Sequence, residues 1–259
     1  MTQPDITVLN DLAQKLADVA APVSMKYFKT GLSADSKSDD SPVTIADREA
    51  ESVMRELIEA AFPEHGIFGE EHGTVRAEAE YVWVLDPIDG TQSFVTGKPL
   101  FGTLIGLLHK GKPLLGVMDM PALKERWTGI TGEKTIYNGA EVKVRSCPSI
   151  NQAWMYATSP QMFTEANFPH FEDLRKAAKR TVYGAECYAY GLLAMGLVDI
   201  VCEDTLQPYD FAALMPIVTG AGGIITDWNG KELDLNAEGH VLACGDSDIH
   251  NAAMQILAG

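Results

Sequence analysis

The 259-residue chain has four cysteines, Cys147, Cys187, Cys202 and Cys244, far apart and without a Cys-x-x-Cys pair. That spacing suits neither a disulfide framework nor a thiolate metal site, so they read as small buried thiols. Six scattered histidines show no His-x-x-x-His or similar spacing, which argues against zinc. Any metal would have to be held by oxygen. No stretch of about eighteen uncharged apolar residues is present, and the opening "MTQPDITVLNDLAQ" lacks the basic and then apolar pattern of a secretory signal. The expectation is a soluble, cytoplasmic protein without a membrane partner. Positive charge is scarce as well: 20 Lys and Arg stand against 36 Asp and Glu, a formal net charge of −16. Phosphodiesters and anionic lipids would meet a repulsive average field, so no nucleic-acid partner is expected. The same acidity also suits a plain solvated surface.

What is present is apolar content of 46%, ample for burial in one large domain or two small ones sharing a core. Leu9, Leu12, Ala13, Leu16, Val19, Ala20 and Val23 recur at helical spacing. "TGLSADSKSDDSP", Thr30 to Pro42, has little to bury and reads as an exposed, mobile loop. A second helix is expected from near Asp47, with Ala50, Val53, Met54, Leu57, Ile58 and Ala61 on one face, ending before Pro63. From Tyr81 the pattern changes to "YVWVL", "GTLIGLL" and "PLLGVMDM", read as strands of one sheet. "CPSINQAW" marks a seam, dividing the chain into halves at 1–145 and 146–259. Beyond it "AECYAYGLLAMGLVDIVCE" reads as a helix leading into a strand. "FAALMPIVTGAGG" reads as a helix that Pro216 can kink, and "IITDWNGKELDL" as a hairpin turning at Asn229-Gly230.

Chemistry concentrates in "VWVLDPIDGTQSF", Val82 to Phe94. A buried strand ending at Leu85 delivers Asp86 to the sheet edge, Pro87 turns the chain, and Asp89 returns a second carboxylate to the same side. Carboxylates this close repel unless a cation sits between them, and Mg²⁺ takes oxygen ligands. Gly90 and Thr91 then offer backbone N–H groups for a phosphate oxygen at the start of a helical turn. Asp-x-x-Asp-Gly also occurs as an ordinary turn. "FGEEHG" places Glu70 and Glu71 at another strand end; adjacent strand residues face opposite ways, so one of them, Glu70, joins the site. Asp210, in "QPYDFAAL", precedes an apolar helix and is an N-cap, a metal ligand or both.

Together "GEE", "DPIDGT" with a following Phe, and Asp-x-x-Ala before "GAGG" resemble, in order and separation, the inositol monophosphatase family of lithium-sensitive, magnesium-dependent phosphomonoesterases. "SPVTIADREAE" is similar to that family's segment ahead of the first glutamate, and the resemblance covers nearly the whole chain. Within the family the sequence looks most similar to the histidinol-phosphatase branch, through "DPIDGTQSFVTGKPLFGTLIGLL", "KERW", "AECYAYG" and "PYDFAAL". Ser93 stands where inositol phosphatases usually carry asparagine, and Tyr209 replaces a common tryptophan.

The resemblance implies an α/β fold of layered αβαβα type, a homodimer, and two to three Mg²⁺ ions per site. Glu70, Asp86 and the Ile88 carbonyl would bind one ion, and Asp86, Asp89 and Asp210 a second. Glu70 would also hold a weaker third ion or position the water that a metal activates. Thr91, hydrogen-bonded to Asp47, would orient that water and help take its proton, while Gly90 and Thr91 N–H groups bind phosphate. Lys37 matches a lysine near the metal entrance, or is a plain surface lysine. Glu203 and Glu186, with Asp89 and Asp210, would contact the substrate; two acids facing the alcohol would favour an ammonium or imidazolium. The implied activity is hydrolysis of L-histidinol phosphate to L-histidinol and phosphate, in histidine biosynthesis. An inositol-1-monophosphatase or broad sugar-phosphate phosphatase shares the metal chemistry. A haloacid-dehalogenase-like phosphatase has Asp-x-Asp-Gly-Thr, one residue shorter than the spacing here. A regulatory protein keeping the fold would be expected to have lost a metal carboxylate, and all are present.

Overall fold

The computed structural model describes residues 5–30 and 42–259. Two helices come first, α1 (Ile6–Tyr27), capped by the Asp5 carboxylate on Thr7 N, and α2 (Pro42–Ala61). α2 begins at Pro42 rather than near Asp47, since proline is tolerated in a first helical turn. Asp47 therefore lies inside the helix and does not start it. The apolar stripes of both helices, including Leu9, Leu16, Ala50, Met54 and Ile58, bury against Trp83, Leu85, Ile105, Leu107 and Val117 of the first sheet.

That sheet holds β1 (Gly66–Gly69), β2 (Gly73–Val75), β3 (Tyr81–Asp89), β4 (Gly102–His109), β5 (Lys112–Met120), β6 (Glu125–Ile130), β7 (Ile136–Tyr137) and β8 (Ala140–Glu141) in the order β2-β1-β3-β4-β5-β6-β7-β8. β1 runs parallel to β3, and the other neighbours are antiparallel. The three apolar runs read from the sequence are β3, β4 and β5. They are apolar on both faces because both faces are covered. α3 (Thr91–Val95) follows β3 directly.

The second sheet holds β9 (Trp154–Ala157), β10 (Arg180–Tyr183), β11 (Ile200–Glu203), β12 (Ile224–Thr226) and β13 (Val241–Cys244) in the order β10-β9-β11-β13-β12. Its outer face is covered by α4 (Phe168–Ala177) and α8 (Ser247–Leu257), through Phe171, Leu174, Ile249, Ala253 and Leu257. Between the sheets lie α5 (Tyr188–Ala194), α6 (Pro208–Phe211) and α7 (Leu214–Gly220). Tyr190, Leu193, Leu214, Ile217 and Val218 there meet Leu104, Met118 and Trp127 on one side and Val201 and Ala243 on the other. The order of layers is helix, sheet, helix, sheet, helix, the αβαβα sandwich expected from the sequence.

Pro216 interrupts its helix as expected, and one turn reading is corrected. The helix after Asp210 is divided into α6 and α7 at Ala212–Ala213, four residues before Pro216, where the proline ring blocks the Ala212 carbonyl. Asn229-Gly230 does turn the chain, with Asp227 accepting from Asn229 N and Lys231 N, but no strand follows. β12 pairs with β13 instead, so the predicted hairpin is absent. Among the described residues no helix is long and apolar enough to cross a membrane.

Candidate active site

β3 pairs with β4 in regular register down to Asp86 opposite Leu104, then resumes at Asp89 opposite Gly102. Pro87 and Ile88 thus oppose Thr103 alone, a bulge that accommodates a residue unable to donate to the ladder. The extra residue matters because positions three apart on a regular strand face opposite ways. With the bulge, Asp86 and Asp89 face the same way, as Leu104 and Gly102 do. The bulge is pinned by Thr103 Oγ1 donating to Pro87 O (2.9 Å) and Ile88 N donating to Asp86 Oδ1 (3.0 Å). Gly90 follows at φ 81°, in the left-handed region, and α3 begins at Thr91.

Asp210 arrives from the other half of the chain. Gly106, Gly116 and Gly129 are register partners across β4, β5 and β6, a side-chain-free row on which the α6–α7 segment lies. A Cβ at Gly116 would run into the Ala213 carbonyl, and one at Gly106 would stand 3.1 Å from the Ala213 nitrogen. Seated there, Asp210 accepts from Gln207 N (2.7 Å), completing a capping box, and turns its carboxylate to the β3 acids. Oxygens of Asp86, Asp89 and Asp210 all lie within 4.8 Å of one another. Asp210 is both cap and cluster member.

β1 ends beside β3, and Glu70 N donates to Leu85 O (3.2 Å), which carries Glu70 alongside Asp86. Glu71 turns the other way: its N–H reaches Glu51 Oε2 and its carboxylate lies 3.5 Å from Arg48. Adjacent residues do face apart here. Asp86 is buried, Asp89 and Asp210 are half-buried, and Glu70 is exposed.

Loss of water, with the mutual repulsion of the acids, pushes Asp86 well above the usual carboxylate range. Asp89 and Asp210 are raised to about 7 for the same reasons, desolvation first. No lysine or arginine pairs with Asp86, Asp89 or Asp210 among the described residues. An all-oxygen, uncompensated acidic donor set fits a hard divalent cation.

Asp47 is buried on α2, and desolvation with repulsion from Glu71, Glu70 and Glu51 raises it to about 9. Its Oδ1 has no hydrogen-bond partner. The Thr91 hydroxyl sits 3.4 Å from the Ile88 carbonyl rather than on Asp47, so the expected Thr91–Asp47 hydrogen bond is not formed here. Lys37 lies outside the described residues.

A cleft of about 870 Å³ is lined by Asp89, Gly90, Asp210, Glu203, Glu186 and Lys98 among others. Glu203 is buried, and both its oxygens are engaged: Oε1 by Thr158 N (3.0 Å) and Thr158 Oγ1 (2.5 Å), Oε2 by Tyr190 OH (2.8 Å). Burial raises it to about 7 despite these bonds. Glu186 adopts a left-handed backbone, φ 51°. The next N–H, of Cys187, donates to Asp89 Oδ2 (2.8 Å), tying the Glu186 turn to the acidic cluster. Glu186 Oε1 accepts from Ser93 Oγ (2.5 Å) and lies 3.5 Å from Lys98 Nζ. Sequence reasoning missed Lys98, Thr158 and Tyr190. Lys98 had a signal, standing seven residues after Thr91 in the same segment; Thr158 and Tyr190 had none, for only the fold brings them to Glu203.

A family model described as the inositol monophosphatase family matches residues 5–258. A bifunctional phosphatase, IMPL2, chloroplastic, from Arabidopsis thaliana is 51% identical, over 93% of this chain and 72% of the relative. A histidinol-phosphatase from Chlorobaculum parvum is 36% identical, over 90% of each chain. The solved structure of an inositol monophosphatase from Zymomonas mobilis superposes with a TM-score of 0.94 at 44% identity, covering 99% of this chain and 100% of that one.

Proposed function

We propose, from the premise that the chain belongs to the inositol monophosphatase family, that this phosphatase hydrolyses L-histidinol phosphate to L-histidinol and phosphate. The observation that carries the substrate is Glu186, a carboxylate held in the cleft beyond Gly90 whose Oε2 accepts no hydrogen bond among the described residues. The alcohol of histidinol phosphate bears an ammonium and an imidazole, and an open carboxylate favours such a group over a neutral polyol. The name of the Chlorobaculum relative, a histidinol-phosphatase, agrees with this reading.

Asp86, Asp89, Asp210 and Glu70, with the Ile88 carbonyl, would hold Mg²⁺, two to three ions when full. Bound there, the ions balance the acidic charge, make a water more acidic and neutralise charge on the phosphate and departing oxygen. The chain's own part is orientation. Gly90 and Thr91 N–H groups would face the phosphate and the Thr91 hydroxyl would orient the attacking water; Asp47, raised to about 9 and not bonded to Thr91, could take that water's proton only when a cation bound beside it lowers its carboxyl. Glu203, locked by Thr158 and Tyr190, forms the wall beside the alcohol. We further assign a cytoplasmic homodimer, as the family resemblance implies. Sedimentation of the purified chain as a monomer would remove that assignment.

The substrate test compares kcat/KM for L-histidinol phosphate, inositol 1-phosphate and 3′-phosphoadenosine 5′-phosphate at one magnesium concentration. A clear lead for histidinol phosphate is expected. A lead for inositol 1-phosphate, the reading that the Zymomonas neighbour favours, or equal rates would refute the substrate while leaving the phosphatase chemistry in place.

A further inference from the structure

We propose that Lys98 determines specificity as an internal counter-ion of Glu186, which a cationic group on the substrate alcohol displaces. The inference rests on the phosphatase reading above and extends it to the charge of the leaving alcohol. Among the described residues, Lys98 is the one basic side chain lining the cleft, which is otherwise charged by Asp89, Glu186, Glu203 and Asp210. Its ammonium hydrogen-bonds the Gly184 carbonyl and lies 3.5 Å from Glu186 Oε1, the oxygen that also accepts from Ser93. Oε1 thus has both partners, Ser93 and Lys98, while Oε2 accepts no hydrogen bond among the described residues.

The two partners are unequally fixed. The Glu186 side chain is 9% exposed and anchored by Ser93 and by the Cys187 N–H on Asp89, whereas Lys98 is 38% exposed on a flexible stem. An ion pair with one half-exposed member is weakly held and is screened by water. Lys98 can leave by giving up its bond to the Gly184 carbonyl, while the Ser93 hydroxyl and the Cys187 N–H on Asp89 keep the turn that carries Glu186 in place. A cationic alcohol that reaches the Glu186 carboxylate replaces Lys98 as its counter-ion, and a neutral polyol cannot, so Lys98 stays in place. The lysine has a second effect, since its charge offsets one of the acids that would otherwise repel the phosphate of every substrate. Removing it exposes every phosphate to that repulsion but leaves Glu186 free for cationic esters alone, so the cationic-to-neutral ratio should rise, a shift that a mere loss of packing does not produce.

The experiment measures kcat and KM for L-histidinol phosphate and inositol 1-phosphate with the full-length wild type, Lys98→Met, Lys98→Arg, Glu186→Gln and the double variant Lys98→Met/Glu186→Gln. Lys98→Met should raise the cationic-to-neutral ratio of kcat/KM about two- to fivefold, mainly through KM. Lys98→Arg should keep the wild-type ratio and Glu186→Gln should lower it. In the double variant the ratio should fall to that of Glu186→Gln alone, because Lys98 acts on it through Glu186. Lys98→Gln replaces Lys98→Met if the latter does not fold. Equal losses for both esters in Lys98→Met, or an additive double variant, overturn the proposal. A wild type that prefers inositol 1-phosphate would defeat the histidinol assignment instead, and the direction of the Lys98→Met shift would still decide this one.

Discussion

Replacing Asp89 by Asn should make the metal-free protein more stable while disabling its metal chemistry. Asp89 titrates near 3.8 when unfolded and at about 7 in the fold, raised first by desolvation and then by Asp210. Between those values the folded chain holds a proton that the unfolded chain has released, so stability falls as pH rises from about 4 to about 7 and stays lowered above it. At roughly 1.4 kcal/mol per pH unit, the upper bound for this one carboxylate is about 4 kcal/mol. Water reaching a half-buried group, and acids that share their mutual repulsion, reduce the expected gain on neutralisation to about 1–3 kcal/mol. Asn keeps an oxygen for the Cys187 N–H and removes no core volume. In chelator at pH 8 the variant's Tm should therefore rise by about 2–4 °C per kcal/mol. In magnesium the order should reverse, because only the wild type gains the full linkage from the cation. Urea or thermal unfolding across pH, with and without chelator, measures both. A variant less stable than wild type in chelator at pH 8 would refute the reasoning that these acids are crowded.

Glu203→Ala should cost about 2–4 kcal/mol in chemical denaturation, since it orphans the Thr158 N–H and the Tyr190 hydroxyl, while Glu203→Gln costs about 1; equal costs would show that those bonds do not matter. Gly90→Ala places a Cβ 2.7 Å from Glu186 Cγ at φ 81°, so turnover should drop more than tenfold, by rough estimate from the geometric sensitivity of such sites, with about 1–3 kcal/mol of destabilisation. Full activity in that variant would contradict the tight packing of the Glu186 turn over Gly90. Gly116→Ala pushes on the Ala213 carbonyl and so on the segment bearing Asp210; a loss of about 1–3 kcal/mol together with weaker magnesium binding by calorimetry is expected, and unchanged magnesium affinity would separate the glycine row from the site.

The layered fold was legible because its signals are local. Apolar runs at Tyr81, Gly102 and Lys112 are short and bounded by turns, and the α1 stripe recurs at helical spacing. Asp86, Asp89 and Asp210 stood out because strands or helices with apolar neighbours end on charge. The bulge that makes Asp86 and Asp89 face one way was not legible, since register against β4 is a pairing property. Pro42 concealed the start of α2, and Asn229-Gly230 promised a partner strand that β13 supplies from elsewhere. Glu203 was read as a substrate contact, but its bonds to Thr158 and Tyr190, 45 and 13 positions away, were not legible, because only the fold brings those residues together. Glu186 was found by resemblance, but its pairing with Lys98 required the left-handed turn at Glu186 to be seen.

The most direct measurement is anomalous diffraction from crystals soaked in manganese, a stand-in for magnesium with the same preference for oxygen. Peaks within coordination distance of Asp86, Asp89 and Asp210, with Glu70 at the margin, and their disappearance in Asp89→Asn, are the expected result. Manganese bound elsewhere, or no density among those three aspartates at saturating metal, would contradict the assignment of this cluster as the catalytic metal centre.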